Sequence, residues 1–296
     1  MQQRPVRSWL YAPGNSARLL ERVFTAGADA VILDLEDAVP AAEKRTARTM
    51  VAKTIDKHVA DGGGGPALWV RVNHPATGLT EADIAAVVRH GLVGVRLPKV
   101  ESALEVERVE AWLTAAERQA GLTEGRLGLV CSIESALGVH HAAEIASAGQ
   151  RIVALTFGGV DFNRDVNAAE DADGLATLYA RSALVVASRV GGIGPPIDGV
   201  FREIRDDDGL ERSTRQSKGL GFFGRSAIHP RQLPIIHAVY TPTADEVAWA
   251  TRLLAAAADA ERAGSGALQL DTGEFVDVPV VRRAEAVLRL AEHLQP

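Results

Sequence analysis

An internal disulfide is excluded at the outset, because the 296-residue chain has a single cysteine, Cys131. That scarcity fits a reducing compartment. Basic charge is also in short supply. The 32 Lys and Arg are outnumbered by 38 Asp and Glu, giving a formal net charge of -6. Such a balance argues against a nucleic-acid surface, so an anionic ligand would need a local basic pocket. No uninterrupted apolar run approaches the roughly 18 residues of a membrane helix. MQQRPVRSWLYAPG has no apolar core of signal-peptide length before its first Pro-Gly turn. A cytoplasmic protein, with neither membrane nor nucleic acid as partner, is expected. No Cys–His spacing suggests zinc. What is present is 47% hydrophobic and 24% charged, ordinary for a chain with one large core.

Short apolar runs recur along that chain. They are SWLYAPG (8–14), AVILDLED (30–37), ALWVRVN (67–73), GVRLPKV (94–100), RLGLVCSIES (126–135), RIVALTFGGVD (151–161), PPIDGV (195–200) and GFFGRSAIHP (221–230). Most are rich in branched or aromatic residues and end in turn residues, as parallel strands do. Helical patterns separate most of them. Leu19, Leu20, Val23 and Phe24 share one face. Pro40 sits like a first-turn proline, and Thr80 with Asp83 reads as a capped start. After the seventh run, RDDDGLERSTRQSKG is so polar that its helix is poorly supported. Eight strand–helix units predict an α/β fold, a closed (β/α)8 TIM barrel. The rival, a doubly wound open sheet, usually shows G-x-G-x-x-G after its first strand, and APGNSARLL lacks it. The predicted division is a barrel over 1–263 and a C-terminal lid segment with a helix over 264–296. In that tail GSG reads as a hinge and EFVDVP as a short extended piece.

In such a barrel the reacting groups sit where strands end. Those positions carry Asp34, Glu36 and Asp37, then Arg71 and Asn73, Lys99, Glu134, Gly158-Gly159-Val160-Asp161, and His229. Carboxylates converging on one rim repel unless a cation joins them. A hard ion such as Mg2+ (or Mn2+) fits, held by one or two carboxylates. Glu134 and Asp161 are the candidate metal ligands, with Glu36 and Asp37 holding metal-bound water. Ion pairing is an equal reading for Glu134, a helix cap for Asp161, and a helix-dipole role for Glu36 and Asp37. Arg71, between valines, needs an anion. His229 lines the site or caps the barrel.

WLYAPGN, ILDLEDAV with Lys44 and Arg48, VRVN, RLPKVES, SIESALGV, LTFGGVD and GFFGRSAIHPRQ, in this order, resemble the citrate lyase β-subunit-like CoA-ester lyases of the HpcH/HpaI aldolase superfamily. The resemblance spans residues 8 to about 240. It implies that Glu134 and Asp161 hold Mg2+ and that Arg71 polarises the keto-acid or enolate oxygen. It also implies that Gly158 and Gly159 bind the keto-acid carboxylate through backbone N–H groups. Pro98, Lys99, Lys44 and Arg48 lie near where CoA is expected. Arg225 stands in place of the usual lysine. TGEFVDVPVVRRAEAVL resembles the lid of malyl-CoA and citramalyl-CoA lyases, whose aspartate, matched by Asp277, reaches a neighbouring subunit. A homotrimer or hexamer is implied.

The activity so implied is Mg-dependent cleavage, or formation, of a β-hydroxyacyl-CoA (malyl-, citramalyl- or citryl-CoA type). The partners are a 2-keto acid and acetyl-CoA or another short acyl-CoA. Alternatives are a malyl-CoA-type thioester hydrolase or malate-synthase-like enzyme, and a non-catalytic acyl-CoA-binding barrel.

Overall fold

The computed structural model describes residues 5–169, 174–262, 268–269 and 275–294. Seven of the eight apolar runs form strands: β1 Ser8–Pro13, β2 Ala30–Asp34, β3 Ala67–Arg71, β4 Gly94–Leu97, β5 Gly128–Ile133, β6 Ile152–Phe157 and β7 Arg225–Ala227. All pair in parallel, in the order β6-β5-β4-β3-β2-β1-β7. The remaining run, PPIDGV, supplies only Ile197 and Asp198. These two residues bridge β6 and β7, through Ile197 to Thr156 and Asp198 to Arg225. Their backbone bonds run to both neighbours, Ile197 N–H to Leu155 O and Ser226 N–H to Asp198 O, each 2.9 Å. The ring therefore closes through a two-residue eighth position, as a TIM-type barrel.

Helices follow the strands: α1 Ala17–Arg22, α2 Lys44–Ala60, α3 Thr80–Val87, α4 Ala103–Gln119, the short α5 Ala136–His140 and α6 Ala142–Ala146, α7 Gly159–Asp165, α8 Leu175–Val190, α9 Asp207–Leu220 and α10 Leu233–Tyr240. Amphipathic spacing explains them. Val106, Val109, Leu113 and Ala116 are the buried stripe of α4, and Ser102 with Glu105 closes a capping box at its start. Thr80 is not the cap expected for α3. It is the first helical residue, and its hydroxyl donates to Asn73 O.

The polar segment after the seventh run is helical after all, as α9. Its inner face is Leu210, Thr214 and Ser217, spaced for one side of a helix but mostly hydroxyl. Those hydroxyls meet a buried ionic cluster. Ser217 bonds Asp198, and Thr214 accepts from Arg225 at 2.9 Å. Arg181 and Arg225 lie 3.4 and 3.3 Å from the same Asp198 carboxylate.

Inside the barrel, side chains alternate with the period of two that strands impose. The lower layers are apolar: Trp9, Ile32, Trp69, Val130, Ala154 and Ile197 form one cluster. Trp9 and Trp69 meet edge-on at 5.3 Å. A Cβ on Gly94 would lie 2.4 Å from the Trp69 ring, so the strand entry must be glycine. One step up each strand the layer turns polar, with Tyr11, Asp34, Arg71, Arg96, Ser132, Thr156 and Ser226.

Contacts divide the chain into a unit of Val6–His237 and a second one running from Ala238 onward. The second unit holds α11 Ala244–Arg262, the antiparallel pair β8 Leu268–Gln269 and β9 Phe275–Val276, and α12 Val278–Leu294. α11 belongs there because Ala250 and Leu253 pack on Val276 and Ala284. The predicted Gly264-Ser265-Gly266 hinge lies outside the described residues.

Candidate active site

The strand ends open into a cavity of about 320 Å3. Its lining includes Tyr11, Asp34, Asp37, Arg71, Arg96, Glu134, Gly158, Gly159, Asp161 and Ser226. β5 carries Glu134 one residue beyond its last bonded position. Ser135 then turns the chain into α5, accepting from Gly138 N–H at 3.1 Å.

Glu134 is 8% exposed, yet it makes no hydrogen bond or ion pair among the described residues. Its pKa is pushed up to about 7 by burial, aided by the charges of Glu36 and Asp161. The Arg71 and Arg96 charges oppose that rise without outweighing it, so the buried carboxylate is not neutralised by a bonded cation. The neighbouring Asp161, in the first turn of α7, pairs only with the exposed Arg164 at 2.8 Å. Such surface pairs open at little cost. Among the described residues no group of three His, Cys, Asp or Glu gathers. Two carboxylates suit Mg2+, which keeps water or substrate in its other positions. The ion-pair reading of Glu134 thus has no partner to name. The donors fit a hard divalent ion.

Arg71 is held as a fork. Nε and Nη2 donate to the two oxygens of Asp34, each at 2.7 Å, and Nη1 lies 2.8 Å from Glu36 Oε2. Burial alone would lower its pKa, but Tyr11, Asp34 and Glu36 hold it well above the ordinary value. It is a permanent, oriented cation. Glu36 and Asp37, expected over metal-bound water, grip the Lys99 ammonium. Lys99 bonds Glu36 and reaches Asp37 at 3.0 Å. Lys99 also holds a left-handed backbone, φ 53°, strained for a residue with a side chain.

The remaining expected residues are dispersed. Pro98 is buried behind β4. Lys44 caps the β2–α2 loop, donating to Leu35 O and Glu36 O at 2.8 and 2.6 Å. Arg48 bonds the buried Asp83 at 2.8 Å. None of the three lines the cavity. The Gly158 N–H is committed to Ile133 O at 2.9 Å. Gly159 alone of that pair begins α7 without an N–H partner among the described residues. Arg225 is locked in the Asp198 cluster. His229 accepts from Arg231 N–H at 3.1 Å and caps a short turn. Asp277, in the second unit, is exposed and caps α12 by accepting from Val280 N–H at 3.1 Å.

Among the polar lining residues, Tyr11, Arg96 and Ser226 were not anticipated. Arg96 pairs in register with Arg71, so the alternation that puts Arg71 inside puts Arg96 there too. Looking only at strand ends hid them. Both guanidinium groups lie over the Tyr11 ring, Arg71 Cζ at 4.9 Å and Arg96 Cζ at 5.3 Å from its centroid.

The family model described as HpcH/HpaI aldolase/citrate lyase matches residues 7–230. The chain belongs to this family. The citrate lyase subunit beta of Leuconostoc mesenteroides subsp. cremoris is 38% identical over 292 residues, covering 98% of this chain and 94% of that one. The mitochondrial citramalyl-CoA lyase of Rattus norvegicus is 30% identical over 304 residues, covering 98% and 87%. Protein CitE of Mycobacterium tuberculosis, solved in complex with magnesium, acetoacetate and coenzyme A, matches with a TM-score of 0.77 and 30% identity. That match covers 97% of this chain and 98% of that one. Among the described residues, no helix is long and apolar enough to cross a membrane.

Proposed function

We propose that this protein is a Mg2+-dependent CoA-ester lyase, joining or cleaving a β-hydroxyacyl-CoA at the bond between its keto-acid and acyl-CoA halves. The observation that carries this is Glu134: a buried carboxylate with no bonded cation, beside Asp161, under the forked Arg71. Glu134 and Asp161 would hold the metal. A bound Mg2+ supplies Lewis-acid polarisation of the keto-acid oxygens.

In cleavage, the hydroxyl loses its proton and its carbon becomes the keto carbonyl. The C–C bond breaks, and its electron pair passes to the acyl-CoA half, whose α-carbon then takes up a proton. Arg71 stabilises the negative charge that develops on oxygen. Asp34 and Glu36 keep its fork aimed, so no reorganisation is needed as charge builds. Losing such a donor typically costs about 10²–10³ in rate. Asp277, matched to the lid aspartate of related lyases, is assigned the proton at the α-carbon, delivered within an oligomer. The Gly159 N–H is a donor for the keto-acid carboxylate.

The test incubates the protein and Mg2+ with citryl-, malyl- and citramalyl-CoA and identifies products by mass spectrometry. A keto acid with acetyl-CoA is expected. A free hydroxy acid with CoA would make it a thioester hydrolase instead. Removing Mg2+ with a chelator, or replacing Glu134 by Ala, should abolish turnover. Full activity in Glu134→Ala would refute the metal assignment.

A further inference from the structure

The Tyr11 ring packs on the apolar cluster of the lower barrel layers and lines the cavity above it. Two guanidinium groups share that ring. Arg71 Cζ and Arg96 Cζ lie 4.9 and 5.3 Å from its centroid, both inside the roughly 6 Å over which a ring face attracts a cation. The two arginines are register partners on β3 and β4, so like charges stand side by side. The consequence shows at Arg96. Burial lowers its pKa and the Arg71 charge lowers it further, while Glu134 and Asp34 offset part of the change.

Both guanidinium groups have their edges occupied. Arg71 is forked onto Asp34, with Glu36 on its other side. Arg96 donates to the hydroxyls of Ser132, Ser226 and Thr156. Bonds made in the plane of a guanidinium orient its edges but resist tipping out of that plane only weakly. A stacked aromatic supplies the missing restraint. The Tyr11 hydroxyl takes no part in this. It makes no hydrogen bond among the described residues. Burial raises its pKa above the ordinary 10, although the Arg96 and Arg71 charges pull the other way. The phenol is therefore neutral, and what it offers the two cations is its ring.

Resting on the lyase reading, we propose that Tyr11 is a positioning residue, whose ring face holds the Arg71 guanidinium, beside Arg96, at the angle from which it meets the developing oxyanion. The requirement is an electron-rich aromatic face and not a hydroxyl. A donor aimed in advance loses its worth when it tips, and a displacement of about 1 Å can cost about 100-fold in rate.

The experiment compares Tyr11→Phe, Tyr11→Leu and protein carrying trifluorophenylalanine at position 11, with Mg2+ and whichever ester the wild type cleaves. Fluorine keeps the ring and drains electrons from its face. Tyr11→Phe should keep the wild-type kcat. Tyr11→Leu should lose about 10–100-fold in kcat with KM little changed, because Arg71 acts on the transition state. The trifluoro ring should fall between them, with the melting temperature of Tyr11→Phe. A loss in Tyr11→Phe as large as that in Tyr11→Leu overturns the proposal, since the hydroxyl would then be the working group. So does a trifluoro protein as fast as Tyr11→Phe, the mark of a ring that only fills space. Should Tyr11→Leu fail to fold, the two aromatic proteins decide alone. If the wild type cleaves no ester the lyase reading fails, and NMR of isotope-labelled arginine judges Tyr11 separately. The Arg71 and Arg96 Nε–H signals, identified through Arg71→Lys and Arg96→Lys, should exchange with water faster in the trifluoro protein than in Tyr11→Phe. Equal exchange refutes the proposal.

Discussion

A methyl group added at residue 158 would lie 2.4 Å from Glu134 Cγ and 2.8 Å from its carboxyl carbon. Gly158 has φ -101° and ψ 78°, so its backbone does not demand glycine. The three nearest atoms all belong to Glu134. Gly158→Ala should therefore fold normally and move the carboxylate. The expected outcome is a loss of Mg2+ affinity of about 10–100-fold, in the range seen when a ligand's supporting contacts are disturbed, with the melting temperature of the metal-free protein unchanged. Unaltered Mg2+ titration by calorimetry would show that Glu134 is not a ligand. At this scale, charge placement was the readable part. Glu134, Asp161 and Arg71 stand out because each interrupts an apolar strand or its glycine turn. Tyr11 and Arg96 were not singled out, because an aromatic in a strand reads as core and Arg96 lies before the strand end. The partners of Lys44, Arg48 and Lys99 were also unreadable, since each bonds groups brought near by the loops.

Among the elements, the least legible were those whose inner faces are polar. The α9 segment is so polar that its helix is poorly supported by hydropathy, and PPIDGV reads as a full strand. In the structure α9 covers the Asp198 cluster, and PPIDGV shrinks to two bridging residues. Both departures have one cause: the seventh position buries ions in place of aliphatic side chains. A second ionic tie joins α4 to the start of β6. Glu117, fully buried, accepts from Arg151 Nη2 at 2.6 Å, Leu127 N–H at 2.7 Å and Gly125 N–H at 2.8 Å. Burial alone would raise its pKa. The bonds from Arg151 and the two backbone groups outweigh that and hold it below the ordinary 4.5. A depressed carboxylate adds stability that is complete above its unfolded pKa and lost as pH falls through the folded one. Glu117→Ala leaves Arg151 buried and unpaired, which costs about 3–5 kcal/mol. In urea unfolding, the gap between wild type and Glu117→Ala should be full near about pH 6 and narrow toward about pH 3. A gap independent of pH would mean that packing, not charge, carries the effect.

The chain carries a barrel that was legible almost strand by strand and a tail whose proposed function rests on one aspartate. Asp277 is exposed and caps α12, and the cap by itself explains an aspartate there. Cap and proton carrier can be separated by chemistry. Asparagine caps a helix about as well as aspartate, whereas alanine forfeits about 1 kcal/mol. Asparagine cannot carry the proton. If Asp277 serves the reaction, Asp277→Asn keeps the wild-type melting temperature and loses turnover by about 10²–10⁴, the usual worth of a positioned acid or base. Asp277→Ala loses the same turnover and some stability as well. If Asp277 is only a cap, Asp277→Asn turns over normally. Light scattering on the wild type and both variants then compares their oligomeric states, because a proton carrier delivered by a neighbouring chain, as proposed for Asp277, would work only while that neighbour is bound. Equal oligomerisation with lost turnover would place the defect in the chemistry. Lost oligomerisation in Asp277→Ala alone would place it in the fold of the tail, where Val276 and Ala284 pack beneath the cap.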